Sequence, residues 1–199
     1  MNEYNDMQLD ALRELANIAS GTAATSLSQM LGREVDIDVP KAFALPLADA
    51  VEATGDPAES VTGVALELEG SITGIVLLLI PAQGADTICN LLGVDPGSDV
   101  ADSALGEIGN ILGASYLNAL SSMTGLTLLP STPQVLNDLL GAIVSTVLAQ
   151  TVGHGEVALV LDSELDVAGE PCAISFMLLP NEDGAIELLA PLGLAEPAA

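Results

Sequence analysis

Apolar residues recur along the chain with two different periods, and the change of period marks out its elements. From about residue 7 to 31 and from about 100 to 124 the spacing is helical. In the first segment Leu12, Leu15, Ala16, Ala19, Ala23, Met30 and Leu31 fall on one broad stripe that can pack on a sheet. Each segment closes on a glycine, Gly32 or Gly125, suited to a left-handed cap. Runs rich in Val, Ile and Leu follow, and they predict antiparallel hairpins pairing 60–69 with 72–80 and 156–162 with 172–179. The first hairpin is expected to turn tightly at Gly70-Ser71, the second through a longer loop, "DSELDVAGEP". A short helix follows each hairpin, near 82–92 and 183–192. Between long helix and hairpin the two halves are expected to differ. There "LPLADAVEATGDP" reads as irregular, whereas Pro133 to about Gln150 reads as a helix with Thr132 as its N-cap.

These elements come in two copies. An offset of 93 residues carries Glu14 to Glu107, Asn17 to Asn110, Gly32 to Gly125 and Pro40 to Pro133. It also matches Val64-Ala65-Leu66 to Val157-Ala158-Leu159, after which the register slips and Pro81 corresponds to Pro180. Two copies of one unit, plus a lengthened loop, account for nearly the whole chain. No low-complexity linker separates the copies. The expected fold is therefore a single α+β domain over residues 1–199, an antiparallel sheet packed with long helices. Repeat one spans about 1–95 and repeat two about 96–199.

Composition narrows what such a domain can do. Twenty-eight acidic residues against three basic ones, Arg13, Arg33 and Lys41, give a formal charge of −25. That field repels phosphate backbones and anionic lipid, so nucleic acid and membrane surfaces are poor partners. The acidity reads first as a hydrated surface, and the near absence of lysine would also suit a high-salt interior. Two Phe, two Tyr and no Trp leave an aliphatic core. The longest uncharged apolar stretch, Leu139 to Val152, has 14 residues, short of the roughly 20 that span a bilayer. The opening "MNEYNDMQLD" lacks the basic and apolar regions of a secretory signal, so a cytoplasmic location is expected. Cys89 and Cys172 lie in apolar runs and read as reduced core thiols. One His and two scattered Cys do not make a zinc site. His154, in "TVGHGEV", reads as a glycine-flanked turn residue rather than a general base.

Candidate chemistry rests on one face of each long helix. Asp10, Glu14, Asn17 and Gly21 are spaced i, i+4, i+7 and i+11, and the second copy places Ser103, Glu107, Asn110 and Ala114 the same way. The small fourth residue lets another protein surface approach beside the asparagine. A single Glu-x-x-Asn is ordinary solvated surface. Its return at a fixed offset, with an equally spaced proline, is more than that reading predicts.

The pattern of Asp or Ser, then Glu, Asn and a proline 23 residues after the asparagine occurs twice, at 10, 14, 17, 40 and at 103, 107, 110, 133. It resembles the signature of the CheC family of the CheC/CheX/FliY chemotaxis phosphatases, and the likeness runs from about Leu9 to about Leu192. The resemblance implies a CheC-like fold and hydrolysis of the phosphoaspartate on a CheY-type response regulator. Under it Glu14, Asn17, Glu107 and Asn110 are the catalytic residues. Each Asn would orient the attacking water, and each Glu would pair with the lysine of the regulator's site. Mg²⁺ would belong to the regulator, so no cofactor or metal of the chain's own is expected. Two alternatives stay open. One is a non-catalytic docking partner of the receptor deamidase CheD, using the apolar 133–150 segment. The other is a flagellar-switch component, weakened because no residues remain for a switch domain.

Overall fold

The computed structural model describes residues 6–150, 157–167, 169–181, 184, 187, 188, 190 and 191. Its elements are α1 (Asp6–Leu31), β1 (Val35–Pro46), α2 (Leu47–Thr54), β2 (Ser60–Gly70), β3 (Gly74–Pro81) and α3 (Ala82–Leu92). The second half supplies α4 (Asp99–Thr124), β4 (Leu128–Pro130), β5 (Gln134–Leu139), α5 (Leu140–Gln150), β6 (Val157–Val167) and β7 (Glu170–Pro180). The long helices fall where the apolar period puts them. Gly32 and Gly125 both take positive φ, at 61° and 75°. Ser98 caps the start of α4, its Oγ accepting from the Ala101 amide at 3.2 Å.

Three expectations about the middle segments are corrected. Residues 133–139 are not helical: β5 pairs with β2 from Gln134 to Leu139, and the helix begins only at Leu140. The "irregular" stretch of the first half contains α2, preceded by β1, so the halves do not differ there. The offset of 93 residues in fact carries α1 onto α4, the span of β1 onto that of β4 and β5, and the start of α2 onto α5. The repeated prolines interrupt the first strand of each copy. Pro40 lies where the register of β1 shifts, between Asp38 and Lys41, and Pro133 lies in the gap between β4 and β5. A residue without an N–H is tolerated where the ladder is already broken.

The hairpins also depart from expectation. The first is not a two-residue turn, because β2 runs on to Gly70 and pairs with β4 while Ile72 tucks into the core. Gly70, at φ 121°, allows this: a β-carbon there would collide with the Thr127 carbonyl. In the second, "DSELDVAGEP" is mostly strand rather than loop. Pairing continues to Val167 opposite Glu170, with Gly169 in the turn at φ 90°. Leu161, Ser163, Leu165 and Val167 are buried, while Glu164 between them is exposed. That is the period-two pattern of a strand with one wet face. Of the helix expected near 183–192, residues 184, 187 and 188 are helical and 190 and 191 form a turn; the other positions lie outside the described residues, as does His154.

The sheet runs β1-β6-β7-β3-β2-β4, with β5 also on β2. The first strand of each repeat therefore pairs with the other repeat's hairpin, and β3 and β7 meet at the pseudo-twofold centre. The central strands are buried on both faces, which is why β3 reads as the unbroken run "GIVLLLIP". Val76, Leu78 and Ile80 face a core shared with α1, α3 and α4. Ile75, Leu77 and Leu79 face a second core under α2 and α5. Leu140, Ile143, Val144 and Val147 of α5 belong to that second core, so the long uncharged run buries these residues and they form no exposed patch. Cys89 and Cys172 are buried free thiols. Burial pushes the Cys172 thiol up to about 11. It raises Cys89 as well, with Asp86 and Asp102 adding to the effect. Among the described residues, no helix is long and apolar enough to cross a membrane.

Candidate functional site

The long helices lie side by side on one face of the sheet, and they touch through their buried sides. Ser20 Oγ is 3.4 Å from the Tyr116 hydroxyl, which makes a shorter 2.8 Å hydrogen bond to Ser163 Oγ on β6. Ala16, Ala19, Ala23 and Leu27 fill the inner face of α1. Met30, placed on that stripe by its spacing, is instead 37% exposed, and Leu31 is half-buried. The apolar residues of the last turn of α1 are thus only partly covered, with Leu31 packed against the main core.

Opposite these inner faces stand the repeated polar residues. Glu14 and Asn17 are exposed on α1; Glu107 is exposed and Asn110 half-buried on α4. Three residues of helix bring each pair onto one side, with β-carbons about 5–6 Å apart. Asp10 falls within α1, and Pro40 and Lys41 within β1. Ser103 is exposed, and its hydroxyl donates back to the Asp99 carbonyl at 2.8 Å. Among the described residues, none of the four Glu and Asn side chains is engaged in a hydrogen bond or ion pair. Glu14, Asn17 and Glu107 are therefore open to solvent and Asn110 is open in part. A carboxamide can accept a hydrogen bond from water and donate one as well; a carboxylate accepts from an ammonium.

The two faces are not equally deep. On α4, Gly106, Gly109 and Gly113 are buried against the sheet and its edge. A β-carbon at Gly109 would sit 2.6 Å from Val64 Cγ1, and one at Gly113 would collide with Leu66. At the matching positions α1 has Arg13, Ala16 and Ser20. Helix α4 is thus sunk further into the sheet, which half-covers Asn110 and Ala114. Asn17 and Gly21 remain exposed, with nothing within 4 Å of where a Gly21 β-carbon would be. The polar residues are spaced alike on both faces, and the difference lies in their surroundings. The glycines three and four apart on α4 were the available signal of that difference.

One further residue belongs to the face. Ile18 follows Asn17, lies one turn beyond Glu14 and is 44% exposed. Its counterpart Ile111 is partly buried and packs against the main core. Beside the start of α4 there is also a cleft of about 340 Å³, lined by Asp86, Cys89, Asp102 and Asn137 among others. Three of its polar residues are bonded in a chain. Thr62 Oγ1 donates to Asn137 Oδ1 at 2.8 Å, and Asn137 Nδ2 donates to Asp102 Oδ1 at 2.9 Å. Neither Glu107 nor Asn110 lines it.

Comparison with known proteins bears on these faces directly. The sequence pattern of the CheC-like family matches residues 7–43 and again 100–136, the two long helices and the strand after each. The CheY-P phosphatase CheC of Bacillus subtilis (strain 168) is 34% identical over 96% of this chain and 97% of its own. The flagellar motor switch phosphatase FliY of the same organism is 30% identical over 54% of this chain, covering 28% of its own length. In fold, the crystal structure of Thermotoga maritima FliY matches with a TM-score of 0.73 at 22% identity, covering 96% of this chain and 98% of that one.

Proposed function

The chain belongs to the CheC-like family, and from that premise we propose that it is a phosphatase hydrolysing the phosphoaspartate of a CheY-type response regulator. The observation that carries the reading is the pair of unengaged Glu and Asn side chains, presented twice on exposed helix faces. An acyl phosphate is already reactive, so the catalyst mainly has to place a water in line with the scissile bond. Asn17 and Asn110 each accept one hydrogen bond from that water and direct its lone pair at phosphorus. The bond from phosphorus to the aspartyl oxygen breaks, releasing inorganic phosphate and the regulator's carboxylate. Glu14 and Glu107 accept from the lysine ammonium beside the phosphoaspartate and hold the helix in register. The Mg²⁺ that shields the phosphoryl oxygens is the regulator's, and the chain brings no cofactor of its own. Such a regulator works in the cytoplasm, and we place the protein there.

The test is the decay of a phosphorylated regulator with and without this protein. Asn17→Ala combined with Asn110→Ala should reduce catalysed hydrolysis at least about 100-fold, the order of loss seen when one group that acts in the transition state is removed. Binding should persist in that variant. Glu14→Ala with Glu107→Ala should weaken binding as well. Full activity in the double Asn variant would end this assignment.

A further inference from the structure

The face of α1 carries an apolar group that the phosphatase chemistry does not use. Taking Glu14 as origin and 100° per residue, Asn17 lies 60° to one side, Ile18 40° to the other, and Gly21 between them. The exposed isoleucine and the free carboxamide thus flank a notch where no side chain stands, with open space for 4 Å around it. The next hydroxyls along the helix donate back to its own backbone: Thr22 Oγ1 to the Ile18 carbonyl at 3.2 Å, and Thr25 Oγ1 to the Gly21 carbonyl at 3.0 Å. Beyond the Asn, this patch keeps its hydroxyl donors for itself and offers a partner apolar contact. On α4 the same isoleucine is spent on the core, because the glycine face lets that helix sink and draws Ile111 inward.

We propose that Ile18 is a positioning residue of the first site, packing on an apolar side chain of the docked regulator while Gly21 admits the rim of its active site. The second site docks without this contact. The proposal rests on the phosphatase reading, and it deepens that reading by making the two sites differ in affinity rather than in chemistry. Covering a half-exposed isoleucine is worth about tenfold in an equilibrium constant.

The experiment isolates one site at a time in the full chain. On a Glu107→Ala, Asn110→Ala parent, whose second site is weakened in binding and in turnover alike, Ile18→Ala should raise KM for the phosphorylated regulator about tenfold, with kcat within about twofold, and Ile18→Leu should restore KM. The urea midpoint should not move, because Ile18 is exposed. On a Glu14→Ala, Asn17→Ala parent, Ile111→Ala should lower the urea midpoint and leave KM within about twofold. An apolar contact is not screened, so the Ile18→Ala effect should keep its size across a salt series. Affinity for the beryllofluoride-activated regulator, read by fluorescence, supplies an arm independent of turnover. Unchanged KM and affinity in Ile18→Ala, on an active parent, overturn the proposal. A parent that binds the activated regulator yet never hydrolyses the phosphorylated one overturns the phosphatase reading, while the binding arm still decides the role of Ile18. A parent that does neither removes both.

Discussion

Helices α1 and α4 carry the same polar mark at the same positions, but they are held in different ways. Over the stretch described in both helices, α1 buries Ala16, Ala19, Ser20, Ala23 and Leu27 where α4 buries Gly109, Leu112, Gly113, Tyr116 and Leu120. An alanine methyl contributes about 0.8 kcal/mol on burial, and a leucine or isoleucine side chain about 1.5–3. Over that stretch the sheet-facing side of α4 sets large side chains between glycines, whereas that of α1 is mostly alanine. The difference teaches that a duplicated motif need not give two copies of the same surface. Its depth is set by residues on the opposite side of the helix.

The comparison breaks outright if either repeat stands alone. Separating residues 1–95 from 96–199 would strip β1 of β6, β2 of β5 and β3 of β7. Neither half should then unfold cooperatively in urea by circular dichroism, and mixing the halves should restore the transition. A monomeric half with its own sharp transition would show two domains instead of one.

A smaller effect sharpens the contrast in depth. Gly109→Val forces side-chain atoms into Val64 and should cost about 3 kcal/mol, the upper range for overpacking a tight core. Ala16→Gly, the matching position on α1, should cost about 2 kcal/mol, about 1 as lost helix propensity and about 0.8 as the lost buried methyl. Urea titration of both variants measures the difference, and equal losses would mean that the helices are fastened alike.

Smallest is the polar tie between the helices. Tyr116→Phe removes the partner of the buried Ser163 hydroxyl and should cost about 1–2 kcal/mol. Ser20→Ala, losing only the 3.4 Å contact, should cost a few tenths. A large Ser20 effect would show that α1 is held through Tyr116 rather than by its alanines.

The chain by itself determined those features that depend on neighbours in sequence. Both long helices, their glycine caps, the β2–β3 pair, α3 and the Glu-Asn faces follow from period and spacing. The duplication is legible too, since an offset needs no structure to be seen. What the sequence did not reveal depends on contacts between the halves. Edge strand β5, with the polar Asn137 and Asp138 after Val135 and Leu136, has no local signature that separates it from a helix start; β2 makes it a strand. The alternation of Leu161, Ser163, Leu165 and Val167 was present but hidden, because serine is a poor marker of an inward face until Tyr116 bonds it. Tertiary structure alone decided that Ile18 faces solvent and Ile111 the core. The two residues are identical in type and position within the motif, so only the sheet beneath, admitting the glycine face of α4 more closely than the alanine face of α1, could distinguish them.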